Sequence, residues 1–439
     1  MTDHDHQVSE PEYDWQGYAF DTRQVHAGEY DDLNSGARVS PIAMTAGYRF
    51  GSFDDARGRF AGENDGLIYS RQRNPSGSVA EKRIASLEGG TEAIVVASGQ
   101  AAITSALLSL AGSGDHIVST ASIYSGTRIL FGRSFARFGV TVDYVWDEND
   151  DDEWDRLITP KTKAIFSETI PNPKNDIVDI GRVAAVAKRH GIPFVVDNTI
   201  ATPYLIRPFE HGADIVVHSS TKFFSGHGAA ISGTIVDGGT FDWVGATRAF
   251  PLITQPAAPG LPSIAERYGD VAYARATREA VVNDIGPALS PFNSFLLHQG
   301  IETLSLRMER HLSNSVTIAE WLTTHPNVES VDYAGLPGNP RTELAQRLYG
   351  GRSGSVFSVT VRGGEAGARR FLDRLRVVSR MTNIGDTRSM ALHPATTTHS
   401  SFSQDLRDRL GISPGLIRLS IGIEDVNDLI ADLDCALAP

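Results

Sequence analysis

A series of short, mostly apolar segments separated by helical sequence constrains the fold of this chain more than any other feature. The segments are residues 93–97, 115–119, 163–167, 192–196 and 213–217. Strands that alternate with helices are typical of β/α units around a parallel sheet. Apolar runs without a polar alternation indicate strands covered on both faces. The sequence therefore predicts an α/β domain, with helices over 100–110 and 182–190 among those that cover its mostly parallel sheet.

The chain around this sheet is predicted to form three parts. Residues 1–80 begin with an acidic, polar tail and continue as an arm rich in Gly, Asn, Arg and aromatic residues, which we expect to pack on another part of the structure rather than to form a domain. Residues 81–290 form the predicted α/β domain and include a Gly-, Pro- and Ala-rich irregular segment from 238 to about 282. Residues 291–439 predict a smaller α+β domain, because an alternating strand at 355–361 is followed by further helical and strand sequence.

Charge and composition exclude several classes of function. The 439 residues carry 40 Lys and Arg against 53 Asp and Glu, a net charge of -13, which disfavours nucleic acid and anionic membranes as partners. No segment reaches the roughly 18 apolar residues of a membrane helix, and the first twenty residues do not resemble a signal peptide. The single cysteine, Cys435, excludes an internal disulfide and is typical of a reducing compartment. We expect a cytoplasmic protein with a small-molecule or protein partner.

Polar residues follow three predicted strands, at the sheet edge where such folds bind ligands. Ser98, Gly99 and Gln100 start a helix whose free N–H groups form an anion site, although Ser98 could instead only cap that helix. Asp197 follows another strand, where a desolvated carboxylate requires a cation, a metal or a protonated heterocycle. The alternative for Asp197 is a helix cap or a partner for an arginine.

The third strand end carries Lys222, flanked by the hydroxyls of Ser219 and Thr221. A lysine in a partly dry cleft can act as an amine nucleophile and base, whereas a lone surface lysine is the ordinary alternative. The anion-binding turn, the carboxylate of Asp197 and Lys222 together fit a pyridoxal phosphate site. No GxGxxG follows the first core strand, which disfavours a nicotinamide-dependent dehydrogenase, and no GxxxxGK[ST] indicates a P-loop enzyme. No ligand set completes a metal site around His393 and His399.

Longer motifs resemble those of the cystathionine γ-synthase and methionine γ-lyase family, the pyridoxal phosphate enzymes of cysteine and methionine metabolism. The resemblance runs from about Asp21 to the C-terminus. Its motifs are Tyr69-Ser70-Arg71 with Asn74-Pro75, Ser98-Gly99-Gln100, Glu168-Thr169 with Asn172-Pro173, Asp197-Asn198-Thr199, Ser219 to Lys222 and Arg418 to Glu424. It implies the fold of the fold-type I pyridoxal phosphate transferases. In that fold a large domain with a mostly parallel seven-stranded sheet between helices carries a smaller C-terminal α+β domain.

The resemblance also implies roles for individual residues. Lys222 would be the Schiff-base lysine and proton shuttle, Asp197 the partner of the pyridinium nitrogen, and Tyr124 the residue that stacks on the ring. The implied cofactor-binding residues of the large domain are Gly99, Gln100, Tyr124, Asn172, Asp197, Thr199, Ser219, Thr221 and Lys222. Arg418 would bind the substrate α-carboxylate, and Asn383 is also expected to bind substrate.

The arm gains a role from the same resemblance. Tyr69 and Arg71 would reach the cofactor phosphate of the neighbouring subunit, and Tyr48 would line that subunit's substrate entrance. The resemblance therefore implies an active site completed across a dimer interface, in a homotetramer of two such dimers.

Within the family, two features resemble the O-acetylhomoserine sulfhydrylase branch. They are the insertion 238–282 and the segment Asn383 to Asp386, where synthases and lyases typically show Ser-Leu-Gly-Gly. Ser125 also stands where methionine γ-lyases usually carry a cysteine after the stacking tyrosine. The resemblance implies a γ-replacement that makes L-homocysteine and acetate from O-acetyl-L-homoserine and sulfide. Cystathionine γ-synthase or methionine γ-lyase activity is the alternative.

Overall fold

The computed structural model describes residues 15–29 and 36–439, and these residues build two β-sheets covered by helices. The first sheet contains β1 (Glu92–Val96), β2 (His116–Thr120), β3 (Thr141–Val145), β4 (Thr162–Glu168), β5 (Phe194–Asp197), β6 (Ile215–His218) and β7 (Gly233–Asp237). Its strand order is β1-β7-β6-β5-β4-β2-β3. Only β7 runs antiparallel to its neighbours. The predicted mostly parallel, seven-stranded sheet is confirmed.

The second sheet lies in the C-terminal part and contains β8 (Val328–Asp332), β9 (Val356–Val361), β10 (Ser379–Arg380), β11 (Met390–Leu392) and β12 (Leu416–Ser420). Its order is β10-β11-β12-β9-β8, so β12 is the central strand. Every residue of β12 is buried, which fixes the position of the side chains that this strand directs towards the first sheet. The predicted smaller α+β part is present, whereas the domain limits at 80 and 290 stay a prediction.

The helices connect these strands and cover their faces. They are α1 (Phe20–His26), α2 (Phe53–Ala61), α3 (Pro75–Glu88), α4 (Gly99–Leu108), α5 (Ser125–Leu130), α6 (Asp151–Leu157), α7 (Ile180–His190), α8 (Thr202–Leu205), α9 (Pro251–Thr254), α10 (Ile264–Tyr268), α11 (Ala272–Ala276), α12 (Asn283–Ile285), α13 (Pro291–Ile301), α14 (Leu304–Thr324), α15 (Thr342–Tyr349), α16 (Gly364–Arg374), α17 (Gln404–Arg409) and α18 (Val426–Leu437). None of those within the described residues is long and apolar enough to cross a membrane.

Helix α4 shows how local sequence places the ligand-binding edge. The helix begins at Gly99, and its apolar side chains pack against the first sheet, where Ile103 and Leu107 are buried. Burial of a leucine of this kind stabilises the fold by about 1.5–3 kcal/mol. The packing therefore fixes the N-terminus of α4 at the carboxyl end of β1, one residue before the predicted start at 100.

Two strands of the first sheet escaped the sequence analysis. Strand β3 lies at the sheet edge, where burial alternates and the apolar run is weak. Strand β7 begins with Gly233, where a Cβ would lie 2.1 Å from the carbonyl oxygen of Ser98, so the close approach to the start of α4 requires glycine. A strand that opens with a glycine and carries little periodic signal is hard to distinguish from a loop.

The segment 238–282 is more regular than predicted, because it contains α9, α10 and α11. Its aromatic side chains explain the order. Trp243 stacks on Tyr273 with ring centroids 5.6 Å apart, and Trp243 also meets Phe250 edge to face at 5.2 Å. This cluster is continuous with the core under α4, so the insertion is anchored by apolar burial.

The N-terminal part divides between two environments. Residues 1–14 of the predicted tail and residues 30–35 of the arm lie outside the described residues. Helix α1 packs on its own chain, because Gln24 donates to Ser305 Oγ at 2.8 Å and Arg23 donates to Ser86 Oγ at 3.2 Å. Farther along the arm, Phe53 and Phe60 are exposed by 84% and 71%, as expected of a segment without a cover in its own chain.

Candidate active site

The start of α4 faces the turn that follows β6. Ser98 Oγ accepts a hydrogen bond from Ala101 N at 3.1 Å, so Ser98 does cap the helix. A Cβ on Gly99 would lie 2.5 Å from Ser219 Cβ, and this contact shows why the position must be glycine. The first N–H groups of an α-helix have no partner within the helix and carry partial positive charge. The helix start and the Ser219 hydroxyl together form a cradle suited to a phosphate.

A cavity of about 280 Å³ opens above this cradle. Its lining comes from the carboxyl ends of the parallel strands and from the C-terminal part, and includes Gly99, Gln100, Tyr124, Asn172, Asp197, Thr199, Ser219, Thr221, Lys222 and Arg418. The structure thus brings together every predicted site residue except Asn383 and the arm residues Tyr48, Tyr69 and Arg71. Asn383 nevertheless contacts the Lys222 side chain directly.

Asp197 presents a buried carboxylate to the cavity at the end of β5. Its Oδ1 accepts hydrogen bonds from Thr199 N at 2.9 Å and from Thr199 Oγ1 at 2.5 Å. Burial raises the pKa of Asp197, and the bonds from Thr199 oppose that rise. Thr199 Oγ1 also accepts from Ser219 N at 2.8 Å, so this hydroxyl joins the carboxylate to the phosphate cradle. A cationic ring nitrogen would compensate the charge of Asp197.

Lys222 lines the same cavity as Asp197. Its Nζ donates to Asn383 Oδ1 at 2.5 Å. Burial, with a smaller contribution from the positive charge of Arg418, lowers the pKa of Lys222 to about 8. A lysine with such a pKa is neutral in a useful fraction of molecules near neutral pH, which an amine nucleophile requires. Thr221 also lines the cavity, and its hydroxyl donates to the carbonyl oxygen of Ser232 at 3.0 Å.

Arg418 comes from β12 of the second sheet and is only 2% exposed. Its terminal nitrogen donates to the carbonyl oxygens of Thr382 at 3.2 Å and Asn383 at 2.9 Å, while its buried Nε has no partner. Burial lowers the pKa of Arg418 to about 10. A buried guanidinium with an unused donor and no paired carboxylate among the described residues is suited to a ligand carboxylate.

Tyr124 precedes α5 and directs its ring into the cavity. A Cβ on Gly126 would lie 2.4 Å from Tyr124 Cε1, so the glycine makes room for the aromatic ring. Burial raises the pKa of Tyr124, and the positive charge of Arg418 opposes that rise. The phenol is therefore the protonated form at neutral pH and offers both a ring face and a hydroxyl to a ligand.

Sequence reasoning missed several lining residues, above all Glu168 at the end of β4. Its Oε1 accepts a hydrogen bond from Tyr124 N at 2.6 Å. The signal that identified Asp197, a carboxylate directly at the end of a buried strand, applied equally to Glu168. The apolar lining residues Ile170, Ile200 and Ile384 carried no such signal, because an isoleucine in an apolar segment is ordinarily part of the hydrophobic core.

The arm residues lie outside the cavity of their own chain. Tyr48 Oη makes hydrogen bonds with Ser70 Oγ and Asn74 Nδ2, both at 3.1 Å. Arg71 donates to Asn283 Oδ1 at 2.5 Å and also to the Asn283 carbonyl. Tyr69 is 44% exposed, and the Arg71 guanidinium lies 5.5 Å from its ring centroid.

The phosphate cradle, the buried carboxylate of Asp197, the lysine of lowered pKa and the dimensions of the cavity all fit pyridoxal phosphate. The fold and this site define a fold-type I pyridoxal phosphate enzyme. Residues 21–438 match the family described as Cys/Met metabolism PLP-dependent enzyme. The chain belongs to this family, which confirms the resemblance seen in the motifs.

Several relatives match this chain over nearly its full length. The O-acetyl-L-homoserine sulfhydrylase of Corynebacterium glutamicum is 43% identical over 96% of this chain and 97% of the relative. O-acetyl-L-homoserine sulfhydrylase 1 of Thermus thermophilus is 43% identical over 95% of this chain and 100% of the relative. A crystal structure from Campylobacter jejuni, assigned as an O-acetylhomoserine (thiol)-lyase, superposes with a TM-score of 0.92 at 34% identity, covering 96% of this chain and 100% of that one. That protein contains N'-pyridoxyl-lysine-5'-monophosphate.

Proposed function

We propose that this enzyme catalyses the γ-replacement in which O-acetyl-L-homoserine and sulfide give L-homocysteine and acetate. The observation that carries the proposal is the buried Arg418, which lines the same cavity as Lys222 and has no counter-ion among the described residues. An amino-acid substrate supplies both missing partners, a carboxylate for Arg418 and an amino group at the reacting centre. The relatives that are 43% identical carry the name of this activity.

Pyridoxal phosphate, when bound, supplies an electron sink for the negative charge that develops beside the substrate nitrogen. The start of α4 with Ser219 would hold its phosphate, and Asp197 would hold its ring nitrogen in the protonated state. Lys222 would attach it covalently. Because the pKa of Lys222 is lowered to about 8, the free amine of this lysine can take the α-proton from the substrate and return a proton at a later step.

Arg418 and Tyr124 complete the roles of this chain. Arg418 would fix the substrate through its carboxylate, so that the Cα–H bond faces Lys222. The Tyr124 hydroxyl lies on the same cavity and would assist proton transfer near the leaving acetate. Ile170, Ile200 and Ile384 line the cavity and would exclude water from the reacting carbons, which would favour attack by sulfide over hydrolysis.

The charges on the cavity wall also support an acetyl ester. The cations among the lining residues are Lys222 and Arg418, and the proposal assigns both. A succinyl ester would bring a second carboxylate, for which the described lining of this chain offers no further cation. An uncharged acetyl group adjoining the isoleucines needs none.

The test is product analysis with the cofactor-loaded enzyme. We expect homocysteine from O-acetyl-L-homoserine and sulfide, with little cystathionine when cysteine replaces sulfide. Predominant cystathionine would instead identify a cystathionine γ-synthase. Release of methanethiol from methionine as the main activity would identify a methionine γ-lyase. O-succinyl-L-homoserine in a parallel assay tests the choice of ester.

Replacing Arg418 with glutamine is expected to raise KM for O-acetyl-L-homoserine by about 10- to 150-fold, with a smaller change in kcat. Hydrogen bonds to charged groups contribute about 1.5–3 kcal/mol, and this range corresponds to that factor. Arg369→Gln on the exposed face of α16 is the matched control, because its guanidinium makes only a surface ion pair with Glu365. An unchanged KM in Arg418→Gln would remove the residue from substrate binding.

We further propose that two copies complete each other's active sites through the arm, within a tetramer in the cytoplasm. The proposal is supported by Tyr69 and Arg71, which lie outside the cavity of their own chain, and by the exposed Phe53 and Phe60 on the arm. Apolar side chains so exposed in one chain are usual at an interface between subunits. The single cysteine agrees with a reducing compartment.

Mixed oligomers test the shared site. Arg71→Ala and Lys222→Ala should each have little activity alone. If Arg71 acts across the interface, a mixed dimer contains one intact site, and an equal mixture after subunit exchange should recover about a quarter of wild-type activity. If Arg71 acts within its own chain, no intact site can form and the mixture stays inactive. Sedimentation of the wild-type enzyme reports whether dimers or tetramers form.

A further inference from the structure

Glu168 and Asp197 form a pair of neighbouring carboxylates at the carboxyl edge of the first sheet. They end adjacent parallel strands, and the register of β4 and β5 pairs them directly. Paired residues of neighbouring strands direct their side chains to the same face of a sheet. Both side chains line the cavity, and they are exposed by only 5% and 8%.

The two carboxylates differ in the number of hydrogen bonds that they accept. Asp197 accepts two bonds on Oδ1, one from a backbone N–H and one from the Thr199 hydroxyl. Glu168 accepts one, from Tyr124 N at 2.6 Å. Since hydrogen bonds to the ionised form favour ionisation, the negative charge belongs on Asp197 more than on Glu168.

The other charged groups around the pair do not favour a second negative charge on Glu168. The titratable or charged groups that face the pair from the packed elements are Tyr124, His218, Lys222 and Arg418. The ring of His218 already has an acidic partner, the buried Glu88 at 2.6 Å. The cations Lys222 and Arg418 face the centre of the cavity, where the proposed cofactor would bind Lys222 and the proposed substrate would bind Arg418. Burial, followed by the negative charge of Asp197, raises the pKa of Glu168 well above its ordinary value.

We infer that Glu168 is a positioning residue that remains protonated beside an ionised Asp197, so that the pair of carboxyl groups carries a single negative charge, located on Asp197. In this state Asp197 directs its whole charge at the cofactor nitrogen. Glu168 holds the backbone of Tyr124, and therefore the ring of Tyr124, without competing for that nitrogen. The positioning role rests on the proposed function of Asp197 at the cofactor. The single negative charge of the pair depends only on the alignment of the two strands that bring the carboxyl groups together.

The first test measures the unfolding of the apoprotein, so it is independent of substrate and turnover. A carboxyl whose pKa is raised in the folded state contributes stability that is complete below its unfolded pKa, about 4.5, and is lost as the pH rises towards the folded pKa. Glu168→Gln removes this titration and keeps an oxygen that accepts from Tyr124 N. Between pH 5 and pH 8, the unfolding free energy of the wild type should therefore fall relative to that of Glu168→Gln. The slope of this difference with pH should correspond to the release of up to about one proton per chain on unfolding.

Denaturant unfolding of both proteins at one protein concentration gives the comparison. Glu365→Gln on the exposed face of α16 is the control and should follow the wild type. Parallel pH profiles of wild type and Glu168→Gln would overturn the inference, because they would mean that Glu168 titrates alike in both states of the chain.

The second test uses the cofactor-loaded enzyme. An infrared difference between wild type and Glu168→Gln at neutral pH should contain the C=O band of a protonated carboxyl, shifted in D2O. Glu168→Gln should keep cofactor affinity and turnover within about threefold of wild type, whereas Glu168→Ala, which leaves Tyr124 N without an acceptor, should lose more of both. Absence of the carboxyl band would show that Glu168 is ionised and would contradict the inference. A lack of sulfhydrylase activity in the wild type would contradict the proposed function and leave the unfolding, infrared and cofactor-affinity measurements on Glu168 unaffected.

Discussion

Lys222→Ala is expected to lower turnover by about four orders of magnitude or more. The substitution removes the amine that attaches the cofactor and the base that moves the α-proton, and positioned proton transfer alone contributes about 10²- to 10⁴-fold. Turnover is measured as homocysteine formed from O-acetyl-L-homoserine and sulfide. Borohydride treatment should fix the cofactor to the wild-type chain and not to Lys222→Ala, which separates loss of the covalent link from loss of binding.

The same variant should remain folded. Burial lowers the pKa of Lys222 to about 8, so below that pH the charged amine opposes folding, and its removal should not reduce the unfolding free energy of the apoprotein. Lys188→Ala, at an exposed position of α7, serves as the control and should keep full activity. Turnover by Lys222→Ala within tenfold of wild type would refute the role of this lysine.

Asp197→Asn is expected to lower kcat/KM by about 10²- to 10⁴-fold. Removing one member of a buried charge pair typically destabilises the partner by about 3–5 kcal/mol, and here the partner is the protonated ring nitrogen. The asparagine keeps the size of the side chain and an oxygen that accepts from Thr199 N, so the loss reports charge rather than shape. ¹⁵N NMR of ring-labelled cofactor should show the nitrogen protonated in wild type and neutral in Asp197→Asn.

A graded variant separates the carboxylate from its support. Thr199→Val removes the hydroxyl that donates to Asp197 Oδ1 and accepts from Ser219 N, and leaves the backbone bond in place. A net hydrogen bond contributes about 0.5–1.5 kcal/mol, so a loss of about 2- to 12-fold per bond is expected. If Thr199→Val is as inactive as Asp197→Asn, the carboxylate charge is not the decisive feature.

Much of the site could be predicted because it consists of residues placed directly after strands. The ends of parallel strands meet at one edge of the sheet, so Gly99, Asp197 and Lys222 had to lie near one another once the strands were recognised. The same logic would have included Glu168. It was missed because it was read only as part of a motif.

Other features depended on contacts that no local pattern records. Asn383 was expected to bind substrate, and the structure places its side chain on Lys222 Nζ. Strand β7 inserts antiparallel between β1 and β6, and its pairing depends on Gly233 meeting the carbonyl of Ser98. Helix α1 packs on its own chain, although the resemblance implied that the arm within residues 1–80 contacts another subunit.

The sequence by itself determined the β/α order of the large domain, its parallel sheet and the chemical groups at the strand ends, because strand and helix periodicity and strand-end position are local properties of the chain. Only the tertiary structure decided that Arg418, from a strand of the second sheet, enters the cavity of Lys222, and that Glu168 lies in register with Asp197. Both depend on how sheets dock and strands align, and these are set by apolar burial between segments far apart in the chain.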